Sequence, residues 1–85
     1  MKPVSNSLPA IIDLEASGFG RGSYPIEVGF ALEDRLVYSF LIKPAPGWEH
    51  WSEDAEQVHG ITRELLLREG KSPREIALRM NELLY

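Results

Sequence analysis

Apolar and polar residues alternate over three stretches in the first half of the chain, at residues 9–16, 26–33 and 36–43. A period of two is typical of β-strands that have one buried face. The connections between the stretches are short, and short connections favour antiparallel neighbours. We therefore expect a three-stranded antiparallel meander. The side chains expected to be largely buried in it are Ile26, Val28, Phe30, Tyr38 and Phe40.

The second half of the chain changes to helical spacing. Three polar residues, each followed by acidic and then apolar residues, predict the starts of three helices, and two glycines predict helix ends. The third helix has one apolar stripe, typical of a helix that packs on a sheet. Strands followed by helices indicate an α/β fold. The predicted starts are Ser52, Thr62 and Ser72, the ends are Gly60 and Gly70, and the stripe comprises Ile76, Met80, Leu83 and Leu84.

Composition narrows the possible classes of protein. The 85 residues suffice for one small domain, and the net charge of −4 argues against non-specific binding to nucleic acid or anionic membranes. The absence of cysteine removes disulfides and thiolate metal sites. No apolar run approaches the roughly 20 residues that span a bilayer. We expect a cytoplasmic protein that makes no membrane contact.

The last residues, Leu83, Leu84 and Tyr85, lack the glycine, basic residue or polar tail with which helices usually close. A three-stranded meander also has free edges, and one amphipathic helix covers little of a sheet. We therefore expect residues 1–85 to be the N-terminal part of a single larger domain.

Asp13 and Glu15 are the sharpest chemical feature of the sequence. On a strand their spacing is about 6.6 Å, and both side chains point to the same face, together with Ile11. Glycines at positions 18, 20 and 22 follow, so the backbone after the strand could approach a ligand closely. Two such carboxylates could bind a hard cation, or they could be the solvated acids of a half-exposed strand. Spacing alone leaves both interpretations open.

Several segments taken together resemble the DnaQ-like exonucleases of the DEDDh type, in their N-terminal part. These segments are IIDLEASGFG, PIEVGFAL, FLIKP and EQVHGITRELL. The resemblance implies a ribonuclease H-like fold, here truncated to the meander and the helices that follow it. It also implies that Asp13 and Glu15 bind Mg²⁺ or Mn²⁺. Ser17 and Phe19 would then contact the terminal nucleotide, and Val58 and His59 would line the same pocket.

The activity that the resemblance implies is 3′–5′ hydrolysis of single-stranded nucleic acid, DNA or RNA. Two metal ions would activate a water molecule and neutralise the leaving 3′ oxygen. The family's third acid, general-base histidine and fourth acid lie downstream of the matched segments. The chain would thus hold half a site, and we expect it to be inactive alone. The alternative is a non-catalytic interaction module, whose sheet is completed by a partner or by a second copy of the chain.

Other chemically interesting residues have two interpretations each. His59 lies outside the family's catalytic histidine motif, so it either contacts substrate or caps a helix, and His50 is expected in an exposed loop. Glu27 could support the metal site or be a solvated strand acid. Trp48 and Trp51 could stack on a base, but packing over the sheet is the simpler role. The basic residues of the helices alternate with acids and form no basic stripe.

Overall fold

The computed structural model describes residues 11–32 and 37–84, and it has three strands followed by three helices. The strands β1 (Ile11–Ala16), β2 (Pro25–Ala31) and β3 (Val37–Leu41) form an antiparallel sheet in the order β1-β2-β3. The helices are α1 (Glu53–His59), α2 (Arg63–Glu69) and α3 (Pro73–Leu84). The predicted α/β meander with helices is confirmed. The parts of the strand predictions at residues 9–10 and 33–36 lie outside the described residues.

The core lies on one face of the central strand β2. Ile26, Val28 and Phe30 point to this face and are at most 3% exposed, as their alternation predicts. Burial of such a side chain contributes about 1.5–3 kcal/mol. Leu66 of α2 packs at the Ile26 end, and Ile76 of α3 packs at the Val28 and Phe30 end. The helices thus form a second layer over β2.

Tyr38 and Phe40 of β3 are only half-buried, although the alternation predicts largely buried positions. Both rings lie beside Phe30, with ring centroids 5.3 Å and 6.1 Å from it. The physical reason is that β3 pairs only with β2 among the described residues, so its outer side stays open to solvent. The pattern gives the correct face but not the extent of burial.

The apolar face continues onto β1, where its side chains are exposed. Ile12 lies opposite Phe30 and Leu14 opposite Val28, so these side chains share the face of the core. They are nevertheless 53% and 59% exposed. Within the described ranges, β1 is hydrogen-bonded to another strand along one edge only. We call Ile12, Leu14 and this free edge the open side of β1.

The helix starts are fixed by the side chains that the sequence predicts. The hydroxyls of Ser52, Thr62 and Ser72 accept hydrogen bonds from the backbone N–H three residues later, at 3.1–3.2 Å. Gly60 ends α1 with φ of 72°, a left-handed conformation that glycine adopts at little cost. None of the described helices is long and apolar enough to cross a membrane.

The main chain after β3 meets the main chain before α3 at a narrow point. Lys43 N donates to Lys71 O at 2.8 Å, and Lys71 N donates to Leu41 O at 3.0 Å. Ile42 and Lys71 form a parallel bridge there. We call this contact the neck. The neck anchors the start of α3 beside the end of β3. Residues 44–70, which include α1 and α2, connect its two sides.

Candidate functional site

Asp13 and Glu15 lie on the face of the sheet opposite the core. Asp13 is paired with Gly29 of β2, and Glu15 is paired with Glu27. Both acids therefore point to the same side, as predicted from their spacing. Asp13 is exposed, and Glu15 is half-buried. None of the ion pairs among the described residues includes either acid. Both carboxylates thus lie on the side of the sheet that faces away from the core.

A third carboxylate, Glu27, lies directly opposite Glu15. Its Oε2 accepts a hydrogen bond from Ser39 Oγ on β3 at 3.1 Å. Like charges at directly opposed positions destabilise an antiparallel pair. A cation near Glu15 would relieve this repulsion. The described residues nevertheless contain no group of three or more ligand side chains placed to hold a metal ion, so Asp13 and Glu15 would be an incomplete set of ligands.

The loop that follows β1, residues 17–23, is held closed at its base. Ser17 N donates to Tyr24 O at 3.0 Å, and Tyr24 N donates to Ser17 Oγ at 3.1 Å. Ser52 N, at the start of α1, donates to Ser17 O at 2.9 Å. Ser17 is fully buried, so it serves as the junction between β1, β2 and the N-terminus of α1. Its side chain is directed into the protein, whereas the resemblance implies contact with a nucleotide.

His50 lies against this loop. Its Nδ1 is 3.1 Å from Ser17 Oγ. The ring covers Gly18 so closely that a Cβ there would overlap His50 Cε1, and a Cβ on Gly22 would be 4.0 Å from His50 Cδ2. His50 is exposed, as predicted, yet it is bonded and packed rather than free. This contact between residues far apart in sequence was not predicted.

Phe19 and Val58 are the exposed apolar residues among the predicted substrate contacts. Phe19 is 77% exposed in the loop, and Val58 is 75% exposed in the last turn of α1. Single exposed apolar side chains are common on protein surfaces. Their exposure leaves both of them accessible to a ligand. The bond between Ser52 N and Ser17 O links the elements that carry them.

His59, the last residue of α1, bonds to the turn that follows the helix. Its Nδ1 accepts a hydrogen bond from Ile61 N at 2.9 Å, so Nε2 carries the proton of the neutral ring. The ring packs edge-to-face against Trp51, with centroids 5.7 Å apart. Nε2 is buried and has no partner among the described residues. This bond lies within the connection between α1 and α2, and contact of His59 with a substrate stays a prediction.

The tryptophans pack against the core, which is the simpler of their two predicted roles. Trp48 stacks on Tyr24 with centroids 5.3 Å apart, and Trp51 Nε1 donates to Glu56 Oε1 at 2.9 Å. Arg63 donates to Trp48 O at 2.7 Å, a structural role that its place in the sequence did not indicate. Burial raises the pKa of the Tyr24 hydroxyl, and the positive charge of Arg63 partly opposes this effect.

The predicted site residues therefore fall into three groups. Asp13 and Glu15 share one open face, and Phe19 and Val58 are exposed on the loop and on α1. Ser17 and His59 are engaged in bonds within the fold.

Compared with known proteins, the chain matches no protein-family model and no curated protein.

Proposed function

We propose that the chain is the N-terminal part of a ribonuclease H-like, metal-dependent 3′–5′ exonuclease that acts on single-stranded nucleic-acid ends. The observation that carries the proposal is the shared, solvent-facing side of Asp13 and Glu15 at the end of β1. The order of the three strands and the following helices supports it, as do the motifs that resemble the DnaQ-like family. The remaining acids and the general-base histidine would come from outside these 85 residues.

The role of Asp13 and Glu15 in such a site is to supply carboxylate oxygens, the ligands that Mg²⁺ and Mn²⁺ prefer. The bound ions would activate water and stabilise the leaving 3′ oxygen. Within this chain, the pairing of Glu15 with Glu27 places two negative charges side by side, and a bound cation would offset their repulsion. Because two protein ligands are an incomplete set and Mg²⁺ releases water reluctantly, the chain alone should bind these ions weakly.

Metal binding is tested by titrating the chain with Mn²⁺ and following paramagnetic broadening of backbone amide signals. We expect broadening centred on Asp13 and Glu15, and strong reduction of it in the Asp13→Asn and Glu15→Gln variants. The matched control is Glu82→Gln, which removes an exposed helical acid elsewhere.

The chain alone should hydrolyse a labelled single strand no faster than its Asp13→Ala variant. Catalytic groups that act as a unit lose orders of magnitude in rate when members are missing.

Two results would contradict these expectations: the first argues against metal binding at this site, and the second argues against the expectation that the chain alone is inactive. Broadening spread evenly over all surface acids, and unchanged in Asp13→Asn, would mean that the acids are merely solvated. Robust hydrolysis that depends on Asp13 would mean that the site is already complete in this chain, for example by assembly of two copies.

A second candidate function is that of an interaction module, and the open side of β1 is the observation in its favour. A strand edge with unpaired N–H and C=O groups is a template for another strand. Ile12 and Leu14 would lose exposed apolar area on such pairing, which stabilises the complex by about 25 cal/mol per Å². The interaction-module function therefore requires a segment that covers this side.

Charge argues against a second copy of the chain as that segment. In an antiparallel pair of β1 strands, any register that brings Ile12 and Leu14 together also places Asp13 near Asp13 or Glu15 of the other copy. A suitable strand instead alternates apolar residues with neutral or basic ones. Its apolar side would lie on Ile12 and Leu14, and its other side would lie beside the acids.

This second function is tested with two synthetic peptides, one alternating valine with lysine and the other alternating valine with glutamate. If the module function is correct, the lysine peptide should shift the amide signals of β1, and the glutamate peptide should not. Leu14→Ser should weaken the effect, whereas Leu78→Ser, at an exposed apolar position on α3, should leave it unchanged. Equal binding of both peptides, or binding that is unaffected by Leu14→Ser, would contradict pairing at β1.

A further inference from the structure

We propose that His50 is a positioning residue that fixes the loop of residues 17–23 beside Asp13 and Glu15, an inference that rests on the proposed exonuclease function. The imidazole lies across the loop, because a Cβ at Gly18 would overlap its Cε1 and a Cβ at Gly22 would be 4.0 Å from its Cδ2. It is held there by the bond between Nδ1 and Ser17 Oγ. Ser17 is only two residues beyond Glu15, so the ring contacts the segment that directly continues the acidic strand.

The bond between Ser17 and His50 completes the hydrogen bonding of a buried hydroxyl. Ser17 Oγ accepts from Tyr24 N, so its own hydrogen is free to be donated to His50 Nδ1. Without the imidazole, the hydroxyl hydrogen of a fully buried serine would lose this partner. The base of the loop and the ring are therefore coupled.

Gly18 provides the space that the His50 ring occupies. It is buried beneath the ring, and the space above its Cα is occupied by His50 Cε1. Any side chain at this position would push the ring away, although the backbone of Gly18 does not have a positive φ. The absence of a Cβ is thus needed for the contact with His50 rather than for the conformation of Gly18.

The outer part of the loop depends on this contact for its order. Phe19, Gly20 and Arg21 are exposed, and the main-chain bond from Ser23 N to Gly20 O at 3.2 Å closes only the far turn. A loop fixed in advance loses less conformational freedom when it binds a ligand. His50 would therefore strengthen binding of a strand end by holding Phe19 and the adjacent backbone in place, without itself touching the metal ions.

The test is a double-mutant cycle of His50→Ala and Gly18→Ala in the 85-residue chain. Each single variant should accelerate hydrogen exchange of the amides of Ser23 and Tyr24, which are hydrogen-bonded across the loop, by on the order of tenfold. The double variant should be no worse than His50→Ala alone, because the alanine then has no ring to displace. His50→Gln, which can still bond to Ser17 Oγ, should restore most of the protection. Glu49→Ala, at the exposed neighbouring position, is the control.

The functional readout uses a tetranucleotide of deoxythymidine with a free 3′ hydroxyl, in the presence of Mg²⁺. Its titration should shift the amide signals of Phe19 and Gly20, with binding on the order of tenfold weaker in His50→Ala and close to normal in His50→Gln. The global unfolding midpoint of His50→Ala serves to exclude a general loss of folding.

The possible failures are distinct. If the tetranucleotide binds the wild-type and His50→Ala chains equally well, the positioning role is wrong and the proposed function stands. If neither the tetranucleotide nor Mn²⁺ affects the end of β1 in the wild-type chain, the proposed function fails. The positioning role is overturned with it, even where the exchange data show that His50 and Gly18 are coupled.

Discussion

Replacing Gly70 with alanine is expected to destabilise the fold by about 3 kcal/mol or more, because the new methyl group would meet main-chain atoms that cannot move aside. A Cβ at Gly70 would be 2.5 Å from Leu66 O, 2.6 Å from Lys43 N and 2.9 Å from Ile42 C. Two of these atoms belong to the neck. Since native domains are stable by only about 0.05–0.15 kcal/mol per residue, a substantial fraction of the stability of this chain would be lost.

The matched control for Gly70 is Gly20→Ala. A Cβ at Gly20 has nothing within 4 Å, and this residue has no positive φ. We expect a change below about 1 kcal/mol, which could be stabilising because alanine restricts the unfolded chain. Urea unfolding followed by tryptophan fluorescence measures both variants. Equal, small effects at Gly70 and Gly20 would mean that the neck is not packed as described.

Leu66→Ala is expected to cost about 2–5 kcal/mol, the range found for removing a fully buried leucine side chain. Leu66 has no exposed surface, and it packs in the cluster that includes Tyr24, Ile26 and Ile61. It joins α2 to the sheet, so its removal leaves a cavity between the two layers. The two tryptophans border the same cluster and report its loss directly.

The control for Leu66 is the next residue of the same helix. Leu67 is 47% exposed, so Leu67→Ala removes the same atoms and has the same small effect on helix propensity, but it opens no cavity. We expect a loss below about 1 kcal/mol. Similar free energies of unfolding for the two variants would show that α2 does not present its Leu66 face to the sheet.

The elements of this fold are predictable from the sequence because their determinants are local. Alternation fixes which side of a strand is apolar, so the faces of Asp13 and Ile12 could be assigned in advance. The caps at Ser52, Thr62 and Ser72 use a residue and a backbone amide only three positions apart. Such contacts depend little on the rest of the chain.

What escaped prediction depends on contacts between distant segments. The half-burial of Phe40 follows from β3 being paired with β2 alone among the described residues. The bond of His50 to Ser17 joins residues 33 positions apart. No local pattern in the sequence indicates this bond. The double-mutant cycle of Gly18 and His50 would measure how strongly the two residues are coupled.

The neck has a consequence for the order in which the chain folds. The β1–β2–β3 contacts close short loops, whereas the neck must first bring together the two ends of residues 44–70, which carries a larger entropy cost. The sheet is thus expected to form before α3 docks on it. During that interval Val28 and Phe30 lie open beside Ile12 and Leu14 as one continuous apolar strip. Association between refolding chains then competes with helix docking, and dilution favours the native fold.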